Sequence, residues 1–314
     1  DSQKLFSFDL SIVKQSTKSE DEQITTFRKV SESNVFKNPQ EYEIELEFTG
    51  NKNKTNFKLS VNDIYEQLLS NMVKIIQVIQ NNSYILSNSE AENLLNNYSQ
   101  VVCQKNINPQ IRSKINNKGH GGIGPKVVSL EMTHIFEQTE EMLSKYFKDS
   151  HVPSILVDYS VTEKTDGERQ FLFISNEGKG YLIDNLMNFR DINIHFLGLK
   201  NCILDGEYVT KSKHKENINH FLIFDCYFMN GTDVRDLPLY TPDKQIKLES
   251  RLDKVKEVAK EFRKIDKKNS KRVKIFSKEY KFGDINTPGK TIFKKCNDIW
   301  KSVHQEKYQY EIDG

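Results

Sequence analysis

Between Ile155 and Met229 the chain alternates apolar runs of strand length with short polar turns. ILVDYSV (Ile155 to Val161) leads into the charged turn EKTDGER, and FLFI (Phe171 to Ile174) follows. ILDGEYV (Ile203 to Val209) and the apolar stretch from Phe221 to Met229 repeat the pattern, the second closing on Asn230-Gly231. β-Branched and aromatic runs bounded by Gly, Asn and Asp form strands, and Asp-Gly or Asn-Gly pairs suit the turns between them. The region is therefore predicted to be strand-rich.

Other segments read as follows. LFSFDLSIV (Leu5 to Val13) alternates in part, a polar loop covers Gln15 to Gln23, and EYEIELEF (Glu41 to Phe48) alternates strictly, all signs of strands. Ser60 with Asp63 makes a capping-box start for a helix to about Gln80, with Val61, Ile64, Leu68, Met72, Ile75 and Ile79 on one face. A shorter helix follows Ser89. The glycine cluster GHGGIGPK (Gly119 to Lys126) lacks the Gly-Lys-Ser/Thr ending of a phosphate loop and reads as a hinge or loop, which divides the chain into residues 1–118 and 119–314. A helix is predicted over Glu131 to Phe147. Another is opened by Thr241-Pro242, with Ile246, Leu252, Val255, Val258 and Phe262 inward. The lysine-rich run Lys264 to Lys274 is a solvated loop or a basic tether for RNA.

With 314 residues, two domains are expected. Lys and Arg total 46 against 44 Asp and Glu, so any nucleic-acid contact must come from a local patch. Cys103, Cys202, Cys226 and Cys296 are scattered, which argues against a disulfide framework or zinc site and for a reducing compartment. His120, His134 and His195 share no metal-ligand spacing. No run approaches the roughly 18 apolar residues of a membrane span. The start lacks an initiator Met and the end falls at Asp313-Gly314 after a strand-like run, so a fragment of a longer polypeptide is expected.

The chemistry centres on Lys164. Taken alone, its turn is either an ordinary charged β-turn or the seat of a nucleophilic amine beside a phosphate. Asp205 and Glu207 alternate on one strand, so both side chains face one way, where they could bind a ribose hydroxyl or a divalent cation. In order, Lys164-Thr165-Asp166-Gly167-Glu168-Arg169, Asp205-Gly206-Glu207, Phe224-Asp225 and Asp313-Gly314 resemble the motifs of the covalent nucleotidyltransferases, the superfamily of mRNA guanylyltransferases and ATP-dependent ligases. The resemblance implies an α+β, ATP-grasp-like domain of antiparallel sheets. It implies that Lys164 forms a phosphoramidate with the α-phosphate of a nucleoside triphosphate. Arg169 and Glu207 would hold the ribose, Phe224 would stack on the base, and Asp166 and Asp313 would complete the site, Asp313 beside Mg²⁺ or Mn²⁺. An attacking amine must be unprotonated, so neighbouring cations or a metal are expected to lower the Lys164 pKa. The family's fifth motif, a lysine pair, and its oligonucleotide-fold domain are not in this sequence.

Glu43, Glu45 and Glu47 alternate along one strand, either as a solvated face or as a carboxylate row around a cation. The row resembles the C-terminal glutamate motif of tunnel-shaped, metal-dependent RNA triphosphatases, with Asp9 and Ser11 on an earlier tunnel strand. Residues 1–118 would then be a partial antiparallel β-tunnel with a helical linker, and 119–314 a guanylyltransferase domain. The order resembles the multifunctional capping enzymes of large cytoplasmic DNA viruses and of linear yeast plasmids. It implies GTP as substrate, nascent RNA 5′ ends as acceptor, and a methyltransferase domain and RNA polymerase as partners, with no membrane. An ATP-dependent ligase and a catalytically incomplete docking module are the alternatives.

Overall fold

The computed structural model describes residues 5–16, 26–50, 60–80, 82, 84–103, 123–125, 127–135, 154–156, 158–241, 249–265, 273–283 and 291–313. It divides into two units, residues 1–81 and 82–314.

In the first unit, β1 (Phe6–Val13) pairs antiparallel with β2 (Glu41–Phe48). The predicted strands are there, and the register sets Asp9 opposite Glu45 and Ser11 opposite Glu43. Opposed residues of an antiparallel pair share a face, so Asp9, Ser11 and the three glutamates lie on one side of the ribbon. Among the described residues this sheet has two strands, so the expected β-tunnel is not shown. Glu43, Glu45 and Glu47 are exposed, and on the other face Leu10 and Ile44 remain 71% and 46% exposed. Helix α1 (Val61–Ile79) begins at the predicted cap. The Ser60 hydroxyl accepts from the Asp63 amide and the Asp63 carboxylate accepts from the Ser60 amide.

The second unit is built on one large sheet. Its strands are β4 (Glu168–Ile174), β5 (Lys179–Ile183), β6 (Phe189–His195), β7 (Cys202–Lys211), β8 (Asn217–Met229), β9 (Thr232–Asp233) and β10 (Lys274–Ser277). They run in the order β10-β8-β7-β4-β5-β6, with β9 also paired to β8. Every pair is antiparallel except β8–β10. That exception departs from the purely antiparallel expectation, and its cause is the connection. Helix α3 (Arg251–Ile265) lies between the two strands, and a crossover of that length is what a parallel neighbour requires.

The continuous apolar run FLFI is explained by burial on both faces. Leu172 and Ile174 pack with Val255, Val258 and Phe262 of α3. Phe171 and Phe173 pack on the other side with Leu94, Tyr98 and Val101 of helix α2 (Asn88–Cys103). The Tyr98 ring stands edge-on to Phe173 and Phe189, with centroids 5.6 and 6.3 Å away. Helix α2 is thus a wall of this unit rather than part of a linker before residue 119. Each large side chain so buried contributes on the order of 1.5–3 kcal/mol. A smaller layer consists of β3 (Ser160–Val161) paired with β11 (Lys281–Phe282), and helix α4 (Ile292–His304) lies against it.

The helix expected from Thr241-Pro242 is described only from Arg251, where Ser250 and Asp253 cap it, and 242–248, including Ile246, lie outside the described residues. The predicted helix 131–147 falls mostly outside them too, with a single 3-10 turn at Met132–His134. So do most of the glycine cluster and of the lysine-rich run.

Candidate active site

Lys164 lies on the segment between β3 and β4, and the chain's last described residues pin that segment. The Asp166 amide donates to the Glu311 carbonyl at 3.0 Å, and the Asp313 amide donates to the Lys164 carbonyl at 2.8 Å. Thr165 bridges Ile312 between them. This pairing carries the Asp313 carboxylate onto the Lys164 ammonium, and the two form an ion pair at the surface.

Two motif glycines are accounted for by close approach. A Cβ at Gly167 would stand 2.7 Å from the Glu207 side chain and 2.9 Å from the Tyr208 carbonyl oxygen. A Cβ at Gly206 would stand 2.4 Å from the Phe221 ring and 2.8 Å from the Leu222 carbonyl oxygen. All four distances fall inside van der Waals contact, so the lysine turn reaches β7, and β7 packs on β8, only because those side chains are missing.

The site is a cleft of about 360 Å³ bordered by Lys164, Asp166, Glu207, Phe224, Lys278 and Tyr280. Phe224 reaches it through a β-bulge. Asp205 pairs with Asp225 and Gly206 with Ile223, so Phe224 is the extra residue, and such a residue is re-aimed out of the ladder. Its carbonyl accepts from the Tyr280 hydroxyl at 2.9 Å. Asp225 turns away. Its carboxylate accepts from Arg251 Nε at 2.8 Å and joins the start of α3 to the sheet.

Arg169 pairs with Glu207 across β4 and β7, and Phe171 with Asp205, so Arg169, Asp205 and Glu207 occupy one sheet face as the alternation implied. Their employment differs from the expectation. Asp205 is fully buried and accepts from Arg169 Nε at 3.1 Å, Arg169 Nη2 at 2.5 Å and the Tyr227 hydroxyl at 2.7 Å. It is therefore spent on holding Arg169, whose guanidinium sits 5.8 Å from the Phe224 ring centroid. Glu207 alone of the two faces the cleft. Burial pushes its carboxyl above the ordinary range, against the opposing pull of Lys278.

Lys278 was not singled out in the sequence, where it is one lysine among many. Its Nζ donates to the Glu163 carbonyl at 2.6 Å and lies 3.5 Å from the Glu163 carboxylate, with both side chains almost wholly buried. Burial pulls this ammonium below the usual lysine range, and Glu163 and Glu207 oppose that shift. The available signal is its place just after the apolar pair Ile275-Phe276 and Ser277.

The Lys164 amine departs from the expectation. Asp313 foremost, with Asp166 and Glu207, raises its pKa, because its neighbours are carboxylates rather than cations. Among the described residues no three His, Cys, Asp or Glu side chains are grouped as a metal site. A magnesium ion shared with substrate phosphates takes only one or two protein carboxylates, and Asp313 fits that role.

Residues 155–309 match the family model of the mRNA capping enzyme, catalytic domain. The match takes in Lys164, Arg169, Glu207, Phe224 and Lys278 and ends before Asp313. A probable mRNA-capping enzyme of Acanthamoeba polyphaga mimivirus is 27% identical over 210 residues. The chain resembles viral mRNA capping enzymes. The alignment covers 66% of this chain and 14% of the mimivirus protein, so the likeness is to a small part of a much longer polypeptide. All of the residues named above as bordering the cleft lie inside the capping-enzyme match. The glutamates of β2, with Asp9 and Ser11, lie outside it, and no helix among the described residues is long and apolar enough to cross a membrane.

Proposed function

We propose that the second unit carries the nucleotide-transfer step of an mRNA capping enzyme. Lys164 Nζ attacks the α-phosphorus of GTP, the bond to the bridging oxygen breaks, and pyrophosphate leaves with that electron pair. The resulting lysyl-GMP phosphoramidate then passes GMP to the terminal phosphate of a 5′-diphosphate RNA and regenerates the lysine. The observation that supports this reading best is the single cleft shared by Lys164, Glu207, Phe224 and Lys278, within a region that matches the capping-enzyme family.

In this reading Phe224 stacks on the base, Glu207 and Arg169 hold the ribose, and Asp166 flanks the lysine. Lys278, the buried cation of the cleft, offers a donor to the base or to a phosphate oxygen. Asp313 keeps the Lys164 amine protonated before substrate arrives, and the amine becomes a nucleophile only once that proton is gone. A divalent cation bound with the phosphates would neutralise charge on the departing pyrophosphate and give Asp313 a second partner.

The test is incubation of the chain with labelled GTP or labelled ATP and Mg²⁺, followed by denaturing electrophoresis. Label carried over from GTP is expected, and label from ATP alone would replace this reading with a ligase. A second activity, removal of the RNA γ-phosphate, rests on the face shared by Glu43, Glu45, Glu47, Asp9 and Ser11. Phosphate release from 5′-triphosphate RNA with Mn²⁺, lost in Glu45→Gln, would support it.

A further inference from the structure

Beside the nucleotide cleft lies a larger cavity of about 520 Å³, within the roughly 300–1,000 Å³ of ligand sites. The buried Glu163–Lys278 pair lines both cavities. Aromatic side chains bound the larger one. Phe276 stands edge-on to His220 with centroids 5.0 Å apart, and Tyr308 lies 5.8 Å from Tyr310. Phe276 keeps 40% of its surface exposed. Lys281 and Lys307 also line the cavity, and among the described residues neither is in an ion pair.

From this geometry we infer that the groove binds the 5′-terminal segment of a single-stranded RNA and leads its end toward Lys164. The inference rests on the function proposed above and names where that reaction's acceptor lies. Exposed aromatic faces accept any base by stacking, and free lysines beside them meet the phosphates, which together describe a single-strand platform. A chain whose formal net charge is +2 has no bulk field to hold RNA, so contact needs such a local patch. Glu163, next to Lys164 in the chain, lines the groove, so a strand lying there reaches the nucleophile's segment directly. A peptide partner fits less well, because protein interfaces deplete lysine at their centres.

The experiment measures binding of a short 5′-diphosphate RNA by fluorescence anisotropy, alongside GMP-adduct formation and transfer. Phe276→Ala is expected to weaken RNA binding roughly tenfold, the scale of one lost base stack, with adduct formation unchanged. The double variant Lys281→Ala/Lys307→Ala should lower the slope of log affinity against log salt by about 1.4, at roughly 0.7 per phosphate contact. Phe276 touches His220, so if its substitution lowers the melting temperature the lysine variant decides. Wild-type RNA affinity, salt slope and transfer in both variants overturn the groove assignment. So does displacement of the RNA by polyglutamate combined with an inert Phe276→Ala, which would mark a site for an acidic protein segment. If the wild-type chain forms no adduct, the proposed function falls while the binding measurements still decide the groove.

Discussion

Lys164 and Phe224 share a cleft and should fail differently when removed. Lys164→Ala leaves no amine at the end of that turn, so the covalent GMP adduct should disappear at every GTP concentration. Phe224→Ala removes a stacking face and should weaken nucleotide binding by about 1–3 kcal/mol, with adduct recovered at high GTP. Gel-based labelling over a GTP titration separates the two. Glu207 allows a second prediction, about pH. Burial raises its folded-state pKa, so the folded chain binds that proton more tightly than the unfolded one. Its contribution to stability is then full below the unfolded carboxylate pKa and lost as pH rises through the folded value. Glu207→Gln removes that loss, so its melting temperature should exceed the parent's increasingly from acid toward neutral pH, while GTP binding weakens. A constant offset across pH would refute the burial argument.

Among the elements, the two central strands of the cleft depend on one tight crossing. Gly206 on β7 faces the Phe221 ring and the Leu222 carbonyl of β8, and a methyl group there overlaps both. Gly206→Ala should therefore push β7 off β8, disturb the bulge that delivers Phe224, and cost on the order of 1–3 kcal/mol, the usual scale of overpacking. Denaturant unfolding measures the loss, and GTP affinity should fall with it. The motif Asp-Gly-Glu was legible as chemistry because residue identity and order carry it. That its aspartate is a buried anchor for Arg169 and Tyr227 was not, because Tyr227 comes from another strand and only pairing places its hydroxyl there. The part played by Lys278 is hidden in the sequence for the same reason. Its neighbour Glu163 is 115 residues away in the chain.

For the whole molecule, the position of α2 makes the boldest prediction. The sequence reading starts the nucleotide-transfer domain at residue 119, whereas contacts start the second unit at Asn82. Leu94, Tyr98 and Val101 cover Phe171, Phe173 and Ile183, so a protein beginning at 119 would expose one face of the sheet. A chain of residues 82–314 should unfold cooperatively and form the GMP adduct, and one of residues 119–314 should aggregate or melt far lower. Equal melting curves for the two would show that α2 is dispensable.

What the sequence determined by itself was local. Strand periodicity and the Ser60–Asp63 cap follow from residue types at short spacing, and the described structure contains the β1–β2 and β4–β7 pairs and that cap. What only the tertiary structure decided was how those pieces are used. Burial on both sheet faces, the parallel edge strand, the bulge under Phe224 and the Asp313 and Glu207 carboxylates beside Lys164 all come from residues distant in the chain. The carboxylate row of β2 shows the same division. Alternation put Glu43, Glu45 and Glu47 on one face, but a strand's own period cannot say what that face meets.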